Sequence, residues 1–146
     1  MTEEQKIAFL EKEYFHLPAR VASFDAKSLT IKAWSVSLAL AVLSSGAFSK
    51  TYNVLLYAAM AALLFWLIEG YWKTFQSANY QRIAEIEGYL NGTITEIDCL
   101  QINASCSREY NKQGRTLFYR SLFWPHVMLP HGIMTLGFAI SYFYFI

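Results

Sequence analysis

The chain has 146 residues, 55% of them apolar and 16% charged, with a net charge of +1. That length suits one domain or one membrane unit, and the charged share lies below the ~25% of an ordinary soluble domain. Near-neutral charge argues against bulk nucleic-acid binding. The polar, acidic opening Thr2, Glu3, Glu4, Gln5 argues against a secretory signal, which needs a basic stretch and then an apolar core. Reduced cysteines are therefore expected.

The first segment, 1–30, reads as a cytoplasmic helical arm. Thr2 and Gln5 have the spacing of a capping box. Ile7, Leu10, Tyr14 and Leu17 recur at three- and four-residue steps, one stripe of an amphipathic helix. Charged residues cover the other face, and their acidic excess favours packing on the protein itself over lying on anionic lipid. Pro18 is expected to end or kink this helix, or to open the next as a first-turn residue. A second helix then runs through Val21, Phe24 and Leu29 toward the membrane.

Two apolar stretches follow, 31–48 and 54–72, joined by a short turn, and predict a transmembrane hairpin over 31–72. A helix of about eighteen residues reaches ~27 Å, close to a hydrocarbon core of about 30 Å. Ser37, Ala41 and Ser45 sit four apart, as do Ala58 and Ala62. Small residues at that spacing let helices approach closely in lipid.

The segment 73–121 reads as a cytoplasmic stalk and loop. Gly70 alone does not break a helix, so the second span is expected to continue to a C-cap at Asn91-Gly92. Trp72, Phe75, Asn79, Ile83, Ile86 and Leu90 form a narrow stripe like a coiled-coil seam. It invites packing on the N-terminal helix or on a neighbouring subunit. Trp72, Phe75, Ile83, Ile86 and Leu90 are the candidate oligomer seam. Residues 93–107 carry β-favouring Thr and Ile without alternation, and 107–114 is polar and loop-like. Arg115 and Arg120 then lead back to the membrane.

The third span, 122–146, is predicted as a transmembrane helix with Pro125 and Pro130, each followed by a histidine. Two prolines imply a kink or a re-entrant start.

Of the twelve Lys and Arg, only Lys50 falls in the turn between the first two spans. By the positive-inside rule the N-terminus and the middle segment are cytoplasmic and the C-terminus is outside. Trp34, Trp66, Trp72 and Trp124 all fall at the inner ends of spans, where an aromatic belt belongs.

Candidate polar groups gather near that inner interface: Glu69, Lys73, His126 and His131. Intramembrane carboxylates face bundle interiors or aqueous cavities. Glu69 has two readings, an interfacial pair with Lys73 four residues on, or a pore-lining or proton-binding group facing His126. His126 and His131 lie about 140° apart on an ideal helix, a poor metal pair. Asp25, Lys27 and Lys32 read as a helix-end anchor cluster. Cys99 and Cys106 lack zinc-site spacing. No nucleophile motif or phosphate loop is present, so a non-enzymatic protein without metal or cofactor is expected.

Two stretches carry a resemblance: Phe24-Asp25-Ala26-Lys27-Ser28-Leu29-Thr30-Ile31-Lys32-Ala33-Trp34-Ser35 and Phe65-Trp66-Leu67-Ile68-Glu69-Gly70-Tyr71-Trp72-Lys73-Thr74-Phe75-Gln76. They resemble a group of small, uncharacterised bacterial multi-pass inner-membrane proteins. The layout is also similar to small membrane effectors of bacterial antiphage systems. These likenesses imply an inner-membrane location. The expectation is an all-α, three-pass homo-oligomer that forms a pore or channel or perturbs the membrane. The alternative is a non-catalytic anchor or sensor that binds a cytosolic protein through its stalk.

Overall fold

The computed structural model describes residues 2–49 and 52–145, and their side chains apart from those of 46–49 and 145. The described residues form five helices: α1 (Glu3–Ser49), α2 (Asn53–Leu90), α3 (Ile102–Leu122), α4 (Pro125–Met128) and α5 (His131–Phe145). None of them is in a strand. Lys50 and Thr51, where the outer turn is predicted, lie outside the described residues. Helices α1 and α2 each contain a stretch long and apolar enough to cross a membrane.

The chain divides into two compact units. The first comprises Met1–Ala26 and Lys73–Leu117, the second Lys27–Trp72 and Phe118–Ile146. Both long helices contribute to both units.

In the first unit, α1 begins with the capping box. The Thr2 amide donates to Gln5 Oε1 at 3.1 Å, and the Gln5 amide donates to Thr2 Oγ1 at 3.3 Å. Pro18 does not end the helix, which runs through it. Proline removes one backbone donor and crowds the preceding turn. Here Leu10, Leu17 and Val21 are buried on both sides of it, so the flanking turns are held by packing. Leu10 and Leu17 meet Ile86 of α2 in a core closed by Tyr14, Ile83, Tyr89, Ile97, Cys99 and Ile102.

Helix α2 passes Gly70 without a break and ends at Leu90. Gly92 has φ +81°, and the amides of Thr93 and Ile94 both reach the Gly88 carbonyl at 2.9 Å. A left-handed residue after the last turn satisfies otherwise orphaned carbonyls in this way.

Residues 107–114 are helical, part of α3, against the loop expected there. Between 105 and 117 the inward face of α3 is Ser105, Cys106, Glu109, Tyr110, Gly114 and Leu117. Those positions recur at helical steps, but most are small or polar. A pattern read from apolar residues alone misses them.

In the second unit, Ala58, Ala59 and Ala62 of α2 are buried, as are Ser28, Ser35 and Ala39 of α1. The expected row Ser37, Ala41, Ser45 faces outward instead. Two positions along a helix are about 200° of rotation, so the rows 35–39 and 37–41 lie on opposite sides. The inward side is the one that carries Ser28 and Lys32.

The single span expected over 122–146 is broken. Helix α3 ends at Leu122, α4 is one turn, and α5 starts after a cis Leu129–Pro130 peptide. Leu129 is extended, as residues before proline tend to be. The fifteen residues of α5 reach about 22 Å, short of a ~30 Å hydrocarbon core. The Trp66 indole N–H donates to the orphan Leu122 carbonyl at 2.9 Å, tying α2 to the end of α3.

A buried carboxylate site

Positions 28, 32 and 35 fall on one face of α1 by helical spacing. On α2 that face meets Glu69, and on α5 it meets His131, the first residue after Pro130. Glu69 and His131 are both 0% exposed. Glu69 Oε1 accepts from Ser28 Oγ at 2.5 Å and pairs with Lys32 Nζ at 2.6 Å. Glu69 Oε2 lies 2.9 Å from His131 Nε2, and His131 Nδ1 lies 2.9 Å from Ser35 Oγ. The Phe65 ring stacks on the imidazole, with centroids 6.4 Å apart and planes 14° apart.

With a neutral His131, an Nε2–H that donates to Glu69 and an Nδ1 that accepts from the Ser35 hydroxyl satisfy these partners. Lys32 and Glu69 then cancel, and the cluster carries no net charge. Buried ions persist when paired and hydrogen-bonded in this way. Lys32, with its side chain 22% exposed, is the least buried member of the ion pair.

Gly132 lies against the preceding turn. A Cβ there would lie 2.8 Å from Met128 Cγ of α4 and in ordinary contact, 3.5 Å, with the Trp66 ring. A larger residue would require the Met128 side chain to shift.

Among the residues expected to act, the structure brings together Glu69 and His131. Lys73 is elsewhere: it donates to Asp25 at 2.8 Å and to Gln76 Oε1 at 2.7 Å, both in the first unit. The expected Glu69–Lys73 pair is therefore replaced by Glu69–Lys32. His126 does not meet Glu69 either; it is exposed on α4, its ring 5.5 Å from Trp124. The anchor cluster Asp25, Lys27 and Lys32 disperses to three partners, Lys73, the Trp72 ring and Glu69. Ser28, Lys32 and Ser35 are the members that sequence reading missed. Their signal was a lysine just inside a span, with serines four before and three after it on the same face.

The stripe proposed as an oligomer seam is largely occupied within the chain. Ile83 and Ile86 pack with Leu10 and Leu17 of the N-terminal helix. Phe75 stacks on Tyr110 at 4.9 Å, and Trp72 lies 5.2 Å from Lys27 Nζ. Leu90 is exposed. The stripe met the nearer of its two possible partners, because α1 already runs beside it.

A second buried charge centre lies in the first unit. Arg82, 1% exposed, donates to Glu13 at 2.7 Å, to Glu85 at 3.2 Å and to the Asp98 carbonyl at 2.7 Å. Glu13 also accepts from the Leu100 amide at 3.0 Å, where Leu100 has φ +60°. Burial acts to lower the pKa of Arg82, but its bonds to Glu13 and Glu85 outweigh it and hold the guanidinium above its ordinary value. This centre fastens the 91–101 loop to the two long helices.

Among the described residues, no group of three or more His, Cys, Asp or Glu is placed to hold a metal ion. Compared with protein-family models, curated proteins and solved structures, the chain matches none.

Proposed function

We propose that this chain is a three-pass bacterial inner-membrane protein that works as a homo-oligomer. In this reading it forms a pore or perturbs the membrane, and the Lys32–Glu69–His131 cluster holds it closed. The observation that carries the reading is a fully enclosed carboxylate that joins three separate helices of a mostly apolar unit. Intramembrane ionisable groups are costly to bury and usually mark working sites. Membrane insertion is supported by the apolar side chains the second unit turns outward. These include Leu38, Leu40, Met60, Leu64, Ile68, Ile133, Leu136, Ile140 and Phe143. Lipid is the solvent that makes such a surface stable. The third pass is assigned to 122–146, with α4 and the bend at 129–130 serving as its inner end.

An enclosed Glu69 fits a closed gate better than a group lining an open pore. The test is leakage from liposomes reconstituted with wild type or Glu69→Gln. The amide leaves Lys32 without a counter-charge, and leakage is expected to rise about tenfold, the rate equivalent of ~1.4 kcal/mol. Unchanged leakage in a correctly inserted variant removes Glu69 from the mechanism.

The second reading, a membrane anchor or sensor that binds a cytosolic protein, is favoured by one feature of the first unit. A groove of about 190 Å³ lies between α2 and α3, lined by residues including Ser77, Gln81, Glu109 and Gln113. Absence of leakage from both proteins would favour this reading. The mass of the complex in mild detergent tests the oligomer: a monodisperse monomer refutes it.

A further inference from the structure

We propose that the proton is the trigger of this site: uptake of one proton by the Glu69–His131 pair releases α5 from α1 and α2. The inference rests on the reading of the cluster as a closing contact, and it names the regulation of that contact.

The argument is a charge count over the groups that face His131. From α1 come Lys32, Ser28 and Ser35, and from α2 come Glu69 and the Phe65 ring. On α4, His126 is exposed beside Trp124. With His131 neutral, Lys32 and Glu69 sum to zero. A proton taken from water can rest on either partner. On His131 it makes an imidazolium, and two cations then share one carboxylate. On Glu69 it makes a carboxylic acid, and Lys32 loses its counter-charge. The two sites are in contact and titrate as a pair, but the net charge becomes +1 in both cases. No bond other than that to the proton is made or broken.

A net charge enclosed by apolar helices is expensive, and the least costly relief is to admit water. The contact best placed to yield is the one made by α5. It is held to α1 and α2 through His131, at the first residue of a short helix that follows a bend. Ser28 and Lys32 keep α1 on α2 through Glu69 after His131 leaves. Acidification therefore loosens α5 first.

The experiment is hydrogen exchange of α5 backbone amides in the full chain in mild detergent. Rates are corrected for the intrinsic pH dependence of exchange. Lowering the pH from about 7.5 to about 5.5 is expected to speed exchange at the start of α5 at least about tenfold. His131→Gln keeps hydrogen-bonding capacity without the titrating ring, and its exchange should be flat over that range. Lys32→Gln reverses the count: its cluster carries −1 before the proton and zero after. That variant should be looser at about pH 7.5 and tighten on acidification. A merely structural contact would not reverse sign. If His131→Gln fails to insert, Lys32→Gln still decides the matter. Flat exchange in wild type, or a Lys32→Gln response of the same sign as wild type, overturns the proposal. Dye release measured in parallel separates the two claims. Leakage with pH-independent exchange refutes the trigger alone; pH-dependent exchange without leakage at any pH refutes the pore reading alone.

Discussion

Arg82→Met should open the 91–101 loop while leaving the helices in place. The substitution keeps most of the aliphatic stem but removes three donors. Glu13, buried at 4% exposure, then loses the cation that compensates it. Breaking a buried pair from one side typically costs about 3–5 kcal/mol. The Asp98 carbonyl also loses its donor at 2.7 Å, about another 1 kcal/mol. Much of this should appear locally, because Arg82 and Glu13 are what hold Asp98 and Leu100. The assay is hydrogen exchange at the Leu100 amide, which donates to Glu13 Oε2. A local loss of about 3 kcal/mol corresponds to exchange roughly a hundredfold faster. Removing both charges, Arg82→Met with Glu13→Met, should restore part of the protection at neighbouring loop amides, since no buried ion is then left alone. Exchange that rises less than about threefold in the single variant would refute the reasoning. So would a double variant as open as the single one.

Other substitutions test separate parts of the structure. Gly92→Ala places a side chain in a left-handed residue with open space around it, so conformation alone sets the cost. A loss of about 1 kcal/mol is expected in thermal unfolding, with Gly92→Asn milder; equal stability of all three proteins would refute the cap. Lys73→Met breaks a pair whose carboxylate, Asp25, is 54% exposed, and should cost about 1 kcal/mol or less. A loss as large as that of Arg82→Met would show that Lys73 is held by more than Asp25 and Gln76. Burial pushes the Cys106 thiol up. In a Cys99→Ser background, alkylation at about pH 8 should lag a peptide thiol at least about threefold, since the thiolate is the reactive form. The sign for stability follows. The unfolded chain loses this proton first, so the contribution is intact below the ordinary thiol range of about 8.5 and falls as pH rises above it. Labelling at the peptide rate would refute the burial of Cys106.

Hydropathy along the chain marked three apolar stretches; among the described residues two helices, α1 and α2, are long and apolar enough to cross a membrane. Local chemistry determined the capping box at Thr2 and Gln5 and the stop at Gly92, because both depend on residues within one turn. Continuity through Pro18 was a tertiary decision: Leu10, Leu17 and Val21 are buried against other elements, and that burial outweighs the local penalty. The middle of α3 was hidden because its inner face over 105–114 is mostly small or polar, and such residues give no apolar period. The site divides in the same way. Glu69 and His131 stood out as costly groups inside apolar stretches. Their partners did not, because the choice among Lys32, Lys73, Ser28 and Ser35 depends on the rotation of α1 against α2. Sequence spacing gives the faces of one helix. Only packing selects which face of α1 meets the carboxylate.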